Sequence, residues 1–145
     1  MAIMAVDYGD VHTGIAISDQ SCMISGFCTT IQLKKQELLA EKIAALVTEY
    51  QVTVLVLGFP KNMDGSDGKR APIYHKFAKK LEEVTGLSPV LWDERRSTIE
   101  AHQILHTMGK KQKSHKKTVD AVAASLMLEG YLAFLSNRAS QEKTT

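Results

Sequence analysis

The chain has 145 residues, of which 44% are hydrophobic and 23% charged, and its formal net charge at pH 7 is only +2. These values suit one soluble domain with a sizeable core, and so small a net charge says little about partners. No apolar run approaches the roughly 20 residues of a membrane span, and the first residues lack the regions of a signal peptide, so the expectation is a cytoplasmic protein.

The first element is "AIMAVDYG", apolar and short enough for a buried strand, with Asp7 at its end. An unpaired buried carboxylate costs several kcal/mol, so Asp7 is expected to answer to a cation. "TGIAISDQ" and "CMISGFCTTI" follow, each bounded by turn-forming residues, and their short connections imply an antiparallel meander of three strands. Cys22 and Cys28 fall in the third strand. Six positions along one strand separate them by about 20 Å, too far for a disulfide, and no CxxC pair suggests zinc. Both are read as reduced packing residues.

Leu39, Ile43, Leu46, Val47 and Tyr50 recur at helical spacing, giving an amphipathic helix over about 35–50. "VTVLVLGFP" is a continuously apolar, β-branched run, as expected of a central strand covered on both faces. Tyr74, Phe77, Ala78 and Leu81 mark a second helix, and "SPVLWDE" a fifth strand. "STIE", Ser97 to Glu100, fits a capping box that opens a helix with Ala101, Ile104, Leu105 and Met108 on one stripe. The last helix is expected over about 118–136, and the polar residues 137–145 as a frayed tail. The layout is βββαβαβα, an α/β domain over residues 1–136 with a mixed five-stranded sheet and helices on both faces.

Acidic residues break the apolar context at three places in this layout. Asp7 ends the first strand, Asp93 and Glu94 end the fifth, and Asp120 lies in the most apolar helix. On that helix Thr118, Ser125, Glu129 and Ser136 cluster within roughly 40°, and Asp120 falls roughly 160° away with Ala123, Ala124, Met127, Tyr131 and Phe134. Asp120 therefore faces the core. Acids aimed into one crevice repel unless a cation neutralises them. Arg95 in a structural ion pair would serve, but oxygen ligands from separate elements suit Mg²⁺ or Mn²⁺ better. Successive strand side chains alternate faces, so only one of Asp93 and Glu94 belongs to the crevice, and spacing does not say which.

"AVDYGDVHTGIAISD", "VLGFPKNMDGSDGKRA", "LWDERRSTIEA" and "KKTVDAVAASLMLEGYL" resemble, in that order, the four motif blocks of the YqgF family of Holliday-junction-resolvase-like or pre-16S ribosomal RNA nucleases. The resemblance covers about residues 2–133 and implies a ribonuclease-H-like fold with catalytic, metal-binding acids at Asp7, Glu94 and Asp120. It favours Glu94 over Asp93. The family usually carries a basic pair where Val11 and His12 stand here, which bears on how the backbone of a substrate is gripped near the first strand.

Two basic stretches are candidate substrate contacts. "GFPKNMDGSDGKR" combines glycines with the donors Lys61, Asn62, Lys69 and Arg70 but is not a Walker A loop; its plain alternative is a surface turn, and the family resemblance shifts it toward substrate contact. Arg95 and Arg96 beside Glu94 fit a phosphate clamp. "GKKQKSHKK" places Lys110, Lys111, Lys113, Lys116 and Lys117 directly before Asp120, either as a solvated loop or as a nucleic-acid contact. The leading expectation is a metal-dependent nuclease using two Mg²⁺ or Mn²⁺ ions on structured nucleic acid, with rRNA precursor ahead of branched DNA. "DYGDVHTG" also resembles the first phosphate loop of actin-like ATPases and sugar kinases, but those close two such domains around ATP. A third reading is a nucleic-acid-binding module without activity, against which three retained acids argue. No strong dimer patch is visible, so the expected state is a monomer or weak homodimer.

Overall fold

The computed structural model describes residues 2–18, 27–59, 66, 68–93 and 116–143, with side chains in the last helix described over 123–136. Strands β1 (Ala2–Asp7), β2 (His12–Ile17) and β3 (Phe27–Gln32) come first, then helix α1 (Gln36–Glu49), strand β4 (Val52–Phe59), helix α2 (Ala71–Thr85), strand β5 (Val90–Asp93) and helix α3 (Lys116–Lys143). The strands form one sheet in the order β3-β2-β1-β4-β5. β1 pairs antiparallel with β2 and β2 with β3, whereas β4 lies parallel to β1 and β5 parallel to β4. This is the mixed five-stranded sheet expected from the element order. The helix expected to open at Ser97 lies outside the described residues.

Strand periodicity divides the core in two. Met4, Val6, Ile15, Ile17, Leu55, Leu57 and Phe59 face α1 and α2, where Leu39, Ile43, Tyr74, Phe77 and Leu81 cover them. Ile3, Ala5, Ala16, Val56 and Trp92 face the other way, under Ala124, Met127, Leu128 and Tyr131 of α3. The apolar run of β4 follows from this double cover, because from Leu55 to Phe59 both faces of the strand are buried. The alanines Ala5, Ala16 and Ala124 leave the α3 layer little bulk at its centre, while Trp92 fills its flank in edge-on ring contacts with Tyr131 at 5.5 Å and Phe134 at 5.7 Å.

Local signals explain the element ends. α2 begins with Pro72 in its first turn, where a missing N–H is harmless, and stops at Gly86 with φ +77°, a left-handed cap that glycine adopts without strain. Buried Ser18 is satisfied by its own sheet, accepting a hydrogen bond from the Ile3 N–H at 2.9 Å.

Two expectations change. α3 continues to Lys143, past the expected end at Ser136, because "NRASQEK" contains no proline or glycine and is rich in good helix formers. Cys28 is a free thiol but exposed on β3, an edge strand, and is not a packing residue; Cys22 lies outside the described residues. Among the described residues no helix is long and apolar enough to cross a membrane.

Candidate active site at the carboxyl end of the sheet

β1, β4 and β5 run parallel, so Asp7, Phe59 and Asp93 all end at one edge of the sheet. The β1–β2 turn, the end of β3 at Gln32 and the starts of α1 and α2 come to the same edge. Open α/β sheets bind ligands in this place, since connections can diverge there without breaking the ladder.

Asp7 is partly buried at this edge. It has the parity of Ile3 and Ala5, so it belongs to the α3 face. Its partner across the antiparallel ladder is Gly14. On the other side, Val6 pairs with Leu57, and the next position on β4 is Gly58. Both flanking positions on the α3 face therefore lack a side chain. Glycines inside strands weaken them, so glycine on both sides of Asp7 at the end of a central strand is a costly arrangement.

Asp93 sits opposite Phe59 in the β4–β5 register, on the α1/α2 face, while Trp92 takes the α3 face. Asp93 thus has the wrong parity to join Asp7. Glu94, Arg95 and Arg96 lie outside the described residues, as do Lys61, Asn62, Lys110, Lys111 and Lys113. Asp120, Lys116 and Lys117 lie in the first two turns of α3. Position 120 is four residues before Ala124, seven before Met127 and eleven before Tyr131, all buried on the sheet-facing stripe. Among the described residues no group of three His, Cys, Asp or Glu side chains is placed to hold a metal ion.

The turn after Asp7 is fastened to both neighbouring helices. Gly9 donates its N–H to Thr13 Oγ1 at 3.4 Å, and a side chain at Gly9 would put its Cβ 2.2 Å from the His12 carbonyl oxygen, so only glycine fits. The Tyr8 ring stacks on Phe77 at 4.6 Å and meets Tyr74 edge-on at 5.3 Å. Tyr74 Oη donates to the Tyr8 carbonyl at 3.2 Å, and Gln36 Nε2 donates to Tyr8 Oη at 3.1 Å. Arg70, at the N-cap of α2, forms an ion pair with Asp10 and lies over the Tyr74 ring, 5.9 Å from its centre. The Asp10 carboxylate raises the guanidinium pKa further above its ordinary value, chiefly through their hydrogen bond. Lys69 is exposed beside it, and His12 is partly buried at the start of β2. Asp10, Tyr8 and Tyr74 had no local sequence signal pointing to this role. Their partners are some 60 residues away in the chain, and only the β1–β4 pairing brings them together.

The fold defines the class first. RuvC of Thermus thermophilus, solved with a Holliday junction substrate, matches with a TM-score of 0.60 at 10% identity, covering 92% of this chain and 96% of that one. A second Thermus thermophilus RuvC structure matches at 0.53 with the same coverage. The protein has the ribonuclease-H-like fold of the RuvC-type resolvases. Similar sequences then narrow the class. A protein of Carboxydothermus hydrogenoformans is 37% identical over 94% of this chain and 99% of its own length. Another from Halothermothrix orenii is 40% identical over 92% of this chain and 96% of its own. One from Desulfitobacterium hafniense is 36% identical over 99% of each. All three are provisionally named pre-16S rRNA nucleases. The RuvX family model, described as Holliday junction resolvase, matches residues 1–134, and the chain belongs to this family, the YqgF family that its four motif blocks resemble.

Proposed function

We propose that the protein is a divalent-metal-dependent phosphodiester hydrolase of structured nucleic acid, and that its substrate is the precursor of 16S rRNA, cleaved at the 5′ end in the cytoplasm. One observation carries the site: a carboxylate at the end of the central strand, on the helix-covered face, with glycine on both sides. A hard carboxylate oxygen at the end of a central strand suits a hard divalent cation. Asp7, Glu94 and Asp120 would hold Mg²⁺ or Mn²⁺. Bound there, such ions supply an activated water and neutralise charge on the leaving oxygen.

The chain's own groups account for the rest of the reading. The parity of Asp93, on the α1/α2 face, argues for Glu94 as the acid of that pair, since successive strand positions alternate faces. The sheet-facing stripe of α3 argues for Asp120. Lys69 and Arg70, with Lys61, Asn62, Arg95, Arg96 and the lysines at 110, 111, 113, 116 and 117, would neutralise phosphates and set the register of the substrate. The starts of α1 and α2 at the same edge add the positive ends of their dipoles.

The names of the relatives favour the rRNA reading, and the family description favours a second one, cleavage of a four-way DNA junction. A junction needs two active sites held in one symmetric dimer, whereas an rRNA end needs one. The test is cleavage of a labelled RNA spanning the 5′ end of 16S rRNA and of a four-way junction, each with Mg²⁺, Mn²⁺ or EDTA, beside the solution mass of the protein. RNA cleavage by a monomer is expected, abolished by EDTA and by Asp7→Asn, Glu94→Gln or Asp120→Asn while the fold survives. Metal-dependent junction cleavage by a dimer selects the second reading, and metal-independent cleavage overturns the site.

A further inference from the structure

Asp10 stands out from the acids of the site. It is exposed on the turn three residues beyond Asp7, where a free carboxylate would repel a polyanion. Instead it engages Arg70 across 60 residues of sequence, with both side chains substantially exposed, at 46% and 67% of full exposure for Arg70 and Asp10. An ion pair so exposed contributes only about 0–1 kcal/mol to stability. The buried Tyr8, Tyr74 and Phe77 rings already fasten the turn to α2 without it. Holding the fold together is therefore a poor account of this pair.

We propose that Asp10 is a positioning residue: it orients the Arg70 guanidinium at the carboxyl edge of the sheet so that the remaining N–H donors meet a phosphate of the nucleic-acid substrate. Three features fix the guanidinium. Its main chain caps α2, with the Arg70 carbonyl accepting from the Ile73 N–H at 3.0 Å. Its guanidinium carbon lies over the Tyr74 ring, 5.9 Å from the ring centre. Asp10 takes one terminal nitrogen, and the planar fork leaves other donors exposed for a phosphate. An arginine held in place before binding gives up less rotamer freedom when it binds, which is where a positioning residue gains affinity. Lysine would not serve equally well, because its single ammonium cannot face a carboxylate and a phosphate in fixed directions.

The inference rests on the proposed phosphodiester substrate, and the test keeps the two separate. Asp10→Asn, Arg70→Lys and the double variant are assayed on whichever substrate the parent cleaves, with KM, kcat and melting temperature measured for each. Asp10→Asn is expected to raise KM about three- to ten-fold, the loss of one oriented charge-assisted contact, with kcat and the melting temperature unmoved. Arg70→Lys should raise KM similarly, and the double variant no further, because both changes remove the same orientation. A fall in KM for Asp10→Asn would mean that the carboxylate competes with substrate for Arg70, and overturns the proposal. An unchanged KM, or a change only in melting temperature, overturns it too. If Asp10→Asn alone fails while the parent cleaves with metal, the functional reading stands without this inference; a parent that cleaves nothing removes both.

Discussion

Replacing Gly9 by alanine tests the turn on which the site depends. The added Cβ would lie 2.2 Å from the His12 carbonyl oxygen, whereas a carbon and an oxygen in contact keep about 3.3 Å apart. The overlap of about 1 Å is with backbone, so no side-chain rotation relieves it. His12 is itself fixed in the sheet opposite Gln32. Relief must come from opening the turn, which loosens the contact of Gly9 with Thr13 and shifts Tyr8 against Tyr74 and Phe77. Overpacking of this kind costs about 2–3 kcal/mol, or about 5–10 °C in melting temperature for a chain of this length. Cleavage should fall further than stability, since the turn joins Asp7 to Asp10. Gly130→Ala provides the opposite sign from the same chemistry. Its Cβ would meet Trp92 Cζ2 at 3.6 Å, an ordinary contact, and alanine in a helix gains about 1 kcal/mol over glycine. Thermal melts of both variants, followed by cleavage at 25 °C, check the pair. A Gly9→Ala protein melting within a degree of the parent, with full activity, would refute the reasoning.

Further expectations concern charge. If Asp7, Glu94 and Asp120 share one crevice, Asp7→Asn relieves repulsion in EDTA and raises the melting temperature by a few degrees, on the order of 1 kcal/mol, while millimolar Mg²⁺ stabilises the parent more than the variant; a variant that melts lower in EDTA points instead to a structural ion pair at Asp7. Neutralising Lys110, Lys111, Lys113, Lys116 and Lys117 together should weaken nucleic-acid binding and flatten its log-affinity against log-salt slope, and an unchanged slope returns the run to a solvated surface. Lys80 donates to Glu37 at 2.7 Å and holds its carboxyl below the ordinary 4.5, through that hydrogen bond first and its charge as well. A lowered carboxyl pKa adds stability that is present above pH 4.5 and lost as the pH falls through the lowered value. Lys80→Met should therefore make the loss of stability on acidification shallower, read from melts between pH 3 and pH 7, and a curve of the parent's shape would contradict the pairing.

Local sequence pattern determined most of the fold. The spacing of Tyr74, Phe77 and Leu81 specifies α2, the unbroken apolar run of β4 specifies a strand covered on both sides, and Asp7 stands out because a carboxylate ends a buried strand. Of the stripe on which the wheel placed Asp120, Ala124, Met127 and Tyr131 are buried, whereas Ala123 is half-buried and Phe134 exposed. Such features depend on side chains within a few positions of one another, where periodicity carries the information. Tertiary structure alone decided the rest. That Asp93 turns away from the α3 face follows from its register with Phe59, that Cys28 lies on an edge strand follows from the strand order, and that Arg70 meets Asp10 follows from β4 lying beside β1. Each of these is a pairing between segments distant in the chain, fixed by which strands share hydrogen bonds, and a run of neighbouring residues holds no record of that choice.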